Sequence, residues 1–210
     1  MKIVSNLITN AFAHAFIQYP EEHEKWTRIS HRIGAALPNS LISHSVQKAG
    51  NVDLLIKSME DEFSPDQPET PDLTELMSFN YQCLMSDVWI GQIYAIFYAQ
   101  DKAQVLSEED NFRNIYHHLK ILRVTLEKHQ IANDRQLKTP LPMQKHPPKD
   151  KDTLYEYSGT DPKRAHHMPR GCSSRGSCMW HVIDIKNNNS SYWIERRQLA
   201  EKIFELYKNV

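Results

Sequence analysis

Glycine is scarce in this chain, 6 in 210 residues, which argues against a sandwich or barrel with many tight turns. Cysteine is scarcer. Cys83, Cys172 and Cys178 are too few, and odd in number, to build a disulfide framework, so a reducing compartment is expected. No apolar run approaches the roughly 20 residues that a membrane span needs. Residues 3–17 are apolar, but Asn6, Thr9, Asn10 and His14 interrupt them, which makes a poor signal-peptide core. We therefore expect a cytoplasmic protein with no membrane partner. Charge of one sign is also missing. With 25 basic and 26 acidic side chains the net charge is -1, so no global field recruits nucleic acid, and any such binding needs a local patch.

Apolar material is present in quantity. Hydrophobic residues make up 40% of the chain, with 4 Trp, 9 Tyr and 7 Phe, enough for a real core. Helical spacing dominates the first two thirds. A first helix is expected over residues 6–18, with Leu7, Ala11 and Ala15 on one face and Ile8, Phe12 and Phe16 beside them. Pro20 suits the first turn of a second helix carrying Trp26, Ile29 and Ile33, closed by Gly34 and Pro38. A third, shorter helix is expected over 52–63 from Leu55, Ile56 and Met59. Pro65, Pro68 and Pro71 mark an acidic loop at 64–72.

The strongest helical signal covers residues 73–100. Leu76, Cys83, Ile90 and Phe97 recur every seventh residue, and Met77, Leu84 and Val88 line an adjacent stripe. A helix apolar over so much of its circumference is central in its domain or lies at a subunit interface. Ser107, Glu108 and Glu109 open the next helix, which runs to about residue 131 on Ile115, Leu119, Leu122 and Leu126. Residues 140–153 alternate Pro140, Pro142, Pro147 and Pro148 with Lys145, Lys149 and Lys151, an extended basic connector. Short strand-like pieces follow at 154–157 and 179–185, then a turn at 187–191 and a last helix over 193–207.

The expected fold is mainly α: a helical bundle built on a long antiparallel helical hairpin, with a small mixed C-terminal appendage. Five segments organise it: an N-terminal helical region (1–63), a proline-rich acidic loop (64–72), the long hairpin (73–139), the proline- and lysine-rich connector (140–153), and a C-terminal basic loop and helix (154–210).

Two constellations carry candidate chemistry. The first is Arg113-Asn114-Ile115-Tyr116-His117-His118, early in the fifth helix. An arginine, a polar residue and a histidine five positions after the arginine resemble the motif of HEPN-type ribonucleases. The resemblance covers the motif and the hairpin. It implies a dimerising helical bundle that cleaves RNA without metal, of the sort found in toxin or phage-defence systems. Arg113 would then hold the scissile phosphate and His118, or His117, would move the proton, with Asn114 beside them. The resemblance thus implies RNA and a homodimer as partners, and no cofactor. Helical geometry leaves a second role open for His118. Arg113 and His118 point about 140° apart on a straight helix, whereas Arg113 and His117 share a face. His118 flanks the Ile115/Leu119/Leu122 stripe and suits a hydrogen-bonded residue at the core edge. Asn80 and Asp87 lie on the Cys83 stripe, where they either fix helix register or bond a catalytic side chain.

The second constellation spans 161–178. Arg164, Arg170, Ser174 and Arg175, with Lys163 and two glycines, suit a phosphate or RNA cradle, although no Walker pattern is present. His167, Cys172, Cys178 and His181 are four residues of zinc-ligand type at unusual spacing. A solvated basic loop fits the same residues. The alternative to the nuclease is accordingly a non-enzymatic helical protein that recognises phosphate-bearing or protein partners through this segment. Glu195, Arg196, Arg197 and Lys202 on the last helix, and Glu60, Asp61 and Glu62 before the proline loop, are expected to be surface charge.

Overall fold

The computed structural model describes residues 2–38, 40–62, 73–106, 108–144 and 154–208, with no side-chain description for 2–4 and 73–76. The acidic proline loop, the helix start at Ser107 and most of the lysine-rich connector lie outside the described residues. Within them the chain is mainly α, with six helices and two small antiparallel sheets. The helices are α1 (Lys2–Gln18), α2 (Pro20–Ala36), α3 (Ile42–Glu62), α4 (Leu73–Lys102), α5 (Asp110–Lys128) and α6 (Arg196–Leu206). The strands are β1 (Leu141–Gln144), β2 (Leu154–Tyr157), β3 (Arg170–Cys172), β4 (Cys178–Asp184) and β5 (Ser190–Glu195).

The helical core follows the expected stripes in α2 and α5 and the Cys83 stripe of α4. It does not in α1, where Leu7, Ile8, Ala11 and Phe16 are exposed and only Ala15 of the two expected faces is buried, nor on the Met77, Leu84 and Val88 stripe of α4, which is exposed. Trp26, Ile29 and Ile33 of α2 are buried, as are Cys83, Ile90 and Phe97 of α4 and Ile115, Leu119 and Leu122 of α5. α4 packs on both α3 and α5. Phe97 stacks on Phe112 at 4.9 Å and Tyr94 meets Tyr116 at 5.8 Å, so pairing steps backward along α4 as it steps forward along α5. The two helices therefore run antiparallel where these rings meet.

α3 is longer than its sequence signal. Ser43, His44, Ser45 and Gly50 thin the apolar pattern at its start. Gly50 is nonetheless a helix residue with a purpose, because a Cβ there would sit 2.7 Å from the indole of Trp26. The glycine lets α2 and α3 approach closely.

The second correction concerns the appendage. β1 and β2 form one antiparallel pair, and β3-β4-β5 form a three-stranded antiparallel sheet. β1 occupies the start of the expected connector; the expected turn is present over 185–189, and β5 takes its last two residues and the expected helix start, so α6 begins at Arg196. In β4 the alternation is strict: Cys178, Trp180, Val182 and Asp184 are buried, and Met179, His181 and Ile183 are half-buried. The sheet packs through β4 on α4 and α5, and α6 packs on α5 and on the sheet. The C-terminal segment thus shares one core with the helices, since Cys178, Trp180, Val182, Ile194 and Leu199 join the same buried cluster as Trp26, Ile90 and Leu119.

Candidate functional site

α5 turns Phe112, Ile115, Tyr116 and Leu119 inward, which leaves Arg113 and Asn114 exposed. Arg113 forms an ion pair with Glu108. His117 points instead to β4, where its Nε2 lies 2.6 Å from Oδ2 of Asp184. Asp184 is the last residue of β4 and is buried. It also accepts from the backbone N–H of Lys186 at 3.1 Å and, at the edge of bonding distance, from the hydroxyl of Tyr192 at 3.5 Å. A buried carboxylate that fixes one ring nitrogen sets the tautomer and orientation of the imidazole. A third of the His117 side-chain surface remains in solvent (33%).

His118 goes elsewhere. Its ring lies 5.7 Å from that of Tyr192 and lines a small cavity of about 160 Å³ with Trp193, Gln198 and Lys202. Burial, then Lys202 and His117, lower its pKa to about 4. A histidine so depressed stays neutral near pH 7 and is ill suited to alternate as acid and base. Arg113 is absent from the lining of that cavity. His118 therefore lies half-buried at the edge of the core, apart from the Arg113 side chain, while His117 keeps an exposed edge beside Asp184.

The arginines of the basic segment are paired within the chain, Arg164 half-buried and Arg170 and Arg175 at the surface. Arg164 pairs with Asp134 at 2.5 Å, and Asp134 also accepts from the Tyr157 hydroxyl at 2.6 Å. Gly159 lies against the same point, since a Cβ there would be 1.9 Å from the Asp134 carbonyl oxygen. Arg170 pairs with Asp87 at 2.5 Å, and the Trp180 indole donates to the other oxygen of Asp87 at 3.2 Å. Arg175 bridges Glu195 at 2.9 Å and Glu201 at 2.7 Å, and Ser173 donates to Glu195 at 2.8 Å. Ser174 is exposed. Each arginine of the expected cradle is thus matched by a carboxylate of the same chain. Asp87 serves neither helix register nor a catalytic side chain; it holds the sheet to α4. Asn80, expected to be buried, is exposed.

The four zinc-type residues do not converge. Side chains alternate faces along a strand, so Cys178 points to α4 while His181 points to the opposite face of the sheet. His167 is exposed, with its ring 5.8 Å from that of His129. Among the described residues no group of three or more His, Cys, Asp and Glu side chains has metal-binding geometry.

Two features escaped the sequence. The first is a cavity of about 580 Å³ between β1 and the outer face of β4, lined by His166, His167, His181, Tyr155 and Gln144 among others. Burial, then the neighbouring His167 and His181, lower the pKa of His166 to about 4. The second is Arg196, which is not surface charge but 1% exposed. It binds Glu60 through two bonds, 2.7 and 2.5 Å, and pairs with Asp53, which accepts from the Trp26 indole at 2.9 Å. Glu60 is buried with it. A signal for this existed. Arg196 shares helical spacing with Leu199, Ala200 and Ile203, and Asp53 and Glu60 share it with Val46, Ala49 and Ile56.

No known protein family, curated protein or solved structure matches this chain. No helix among the described residues is long and apolar enough to cross a membrane.

Proposed function

We propose that the chain is a helical association module whose partner is a second copy of itself, docked through α4. The observation that carries this is the uncovered face of that helix. Met77, Tyr81, Leu84, Val88, Ala95 and Tyr98 are all exposed, and with Gly91 they are spaced alternately four and three residues apart. That is the seam spacing of paired helices. Leu84 is 55% exposed, an unusual position for a leucine repeated at this spacing. A Cβ added at Gly91 would meet nothing within 4 Å, so the middle of the seam has room for a close crossing. The exposed stripe carries no charge, so two copies meet without like-charge repulsion. Sedimentation at micromolar concentration tests the reading. A dimer that dissociates in Leu84→Lys/Val88→Lys supports it, and a wild-type monomer rejects it.

The His117–Asp184 pair favours a second reading, the metal-independent endoribonuclease that the HEPN resemblance implies, with its proton carrier moved to His117. Arg113 lies one turn earlier on α5 and in this reading leaves Glu108 to hold phosphate, with Asn114 beside it. The dimer above supplies the second copy that this family reading requires. RNA cleavage in EDTA is the assay. His117→Ala should lose about 10²–10⁴ of the rate while His118→Gln retains it. A folded wild-type dimer that cuts no RNA ends this reading and leaves the first intact.

A further inference from the structure

All three cysteines of the chain gather at one point in the fold. Cys83 on the inner face of α4 and Cys178 at the start of β4 come from segments 95 residues apart, yet their sulfurs are 3.3 Å apart. Both are buried, and none of the three is in a disulfide. Cys172 lies directly opposite Cys178 in the β3–β4 register, half-buried, with its S–H on the carbonyl of Ser173 at 3.5 Å. A free cysteine in a core usually acts as a small apolar side chain. Two thiols in sulfur-to-sulfur contact differ from that case, because they need only lose two hydrogens to become covalent.

The surroundings make the two sulfurs unequal. The S–H of Cys178 donates to the sulfur of Cys83, and the Arg170–Asp87 pair that ties β3 to α4 stands beside them. The bond from Cys178, more than the nearby Arg170, lowers the Cys83 thiol pKa against the opposing effect of burial. The same bond, and burial, push Cys178 up. Burial pushes Cys172 up to about 11, so the more accessible thiol is the less nucleophilic one.

We propose that Cys83 and Cys178 are a peroxide-oxidisable dithiol that closes to an intramolecular disulfide between α4 and β4. The Cys83 thiolate attacks one oxygen of hydrogen peroxide. The S–O bond forms, the O–O bond breaks, and the departing hydroxide takes up a proton as water. Cys178 then attacks the Cys83 sulfur, which is now a sulfenic acid. The S–S bond forms, the S–O bond breaks, and the leaving hydroxide carries off the Cys178 proton as a second water. One peroxide is reduced to two waters and two thiols are oxidised to one disulfide. Peroxide is little larger than water, and local opening of the fold is enough to admit it to a buried thiol. The dithiol form is the one a reducing compartment maintains, and a thiol reductant restores it.

Peroxide treatment of the folded full-length chain tests this. Remaining thiols are alkylated after denaturation, and the peptides are mapped by mass spectrometry. The expected product has lost two hydrogens, links the Cys83 and Cys178 peptides, leaves Cys172 alkylated, and reverts with dithiothreitol. Cys172→Ser should form the same link, and Cys83→Ala or Cys178→Ala, checked for folding by circular dichroism, should not. Three alkylated thiols after treatment overturn the proposal. So does a link to Cys172, or oxidation confined to Cys172.

Discussion

The segment 161–178 and helix α4 exchange the roles their compositions suggest. The segment carries four cationic side chains and two glycines, the make-up of a surface that greets an anion. In the fold its arginines pair with Asp134, Asp87, Glu195 and Glu201 of the same chain, and the Arg170–Asp87 pair ties the sheet to α4. α4 has the make-up of a core helix, with four charged residues in thirty. Among the described residues one of its faces is exposed. The difference teaches that charge marks a ligand site only where the protein supplies no counter-charge, and that apolar surface marks a core only where something covers it.

The comparison breaks first if the internally paired charges are idle. Arg196 is the extreme case, a guanidinium buried between two carboxylates. Arg196→Ala would leave Asp53 and Glu60 buried without their cation, and should destabilise the fold by about 3–5 kcal/mol in urea unfolding. Arg196→Lys should recover little, because one ammonium cannot reproduce two parallel bonds to Glu60 together with the bond to Asp53. A loss below about 1 kcal/mol would show that water reaches this network and that the paired half of the comparison is wrong.

Acid should attack the C-terminal region and spare α4. His166 and His118 have folded pKa values of about 4, below the ordinary 6.5. The unfolded chain therefore binds protons that the folded chain refuses. The stability this represents is fully present above about pH 6.5 and is lost as the pH falls through 4. For His166 the loss by pH 4 is about 3 kcal/mol. For half-buried His118 water screens part of the effect, and the loss is smaller. Unfolding free energies measured from pH 7 to pH 4 should fall less steeply in His166→Gln than in wild type. An unchanged slope would mean that His166 is protonated in the native fold.

Close approach offers a third probe. Gly159→Ala places a methyl group 1.9 Å from the Asp134 carbonyl and forces apart the loop that Arg164 and Tyr157 hold. Overpacking of this kind costs about 1–3 kcal/mol. Thermal melting checks it, and a wild-type midpoint would show that the loop gives way freely and does not carry the sheet.

Most of the helical architecture was legible, because burial in α2, α4 and α5 follows a period that the sequence displays. α3 was half legible. Its first turns are thinned by Gly50, whose reason is the Trp26 ring, a contact 24 residues away that no local pattern encodes. β5 was misread because Tyr192, Trp193 and Ile194 run on into helix formers, and only pairing with β4 makes them a strand. In the candidate site the motif drew attention to the first turns of α5, and helical angles already set His117 on the face of Arg113. The Asp184 that orients His117 is 67 residues away and carries no signature of its own. The arginine partners were hidden for the same reason. A sequence shows a charge, and only the fold shows its counter-charge.

The smallest expected effect on stability is the sharpest test of the exposed half. Leu84 and Val88 stand on the exposed face of α4, 55% and 46% exposed. Leu84→Lys/Val88→Lys alters only half-exposed positions, and lysine is a good helix former with an apolar stem, so the monomer should change by no more than about 0.5 kcal/mol. Association should respond far more. A lysine at the centre of an apolar seam must be desolvated or excluded, and two copies bring four such cations together. Equilibrium sedimentation and urea unfolding on the same protein therefore ought to diverge, with dimer affinity falling by an order of magnitude or more while the dilute-chain stability holds. If stability falls as far as affinity does, α4 is covered within its own chain. If neither moves, the seam contacts nothing, and the uncharged stripe is not an interface between copies.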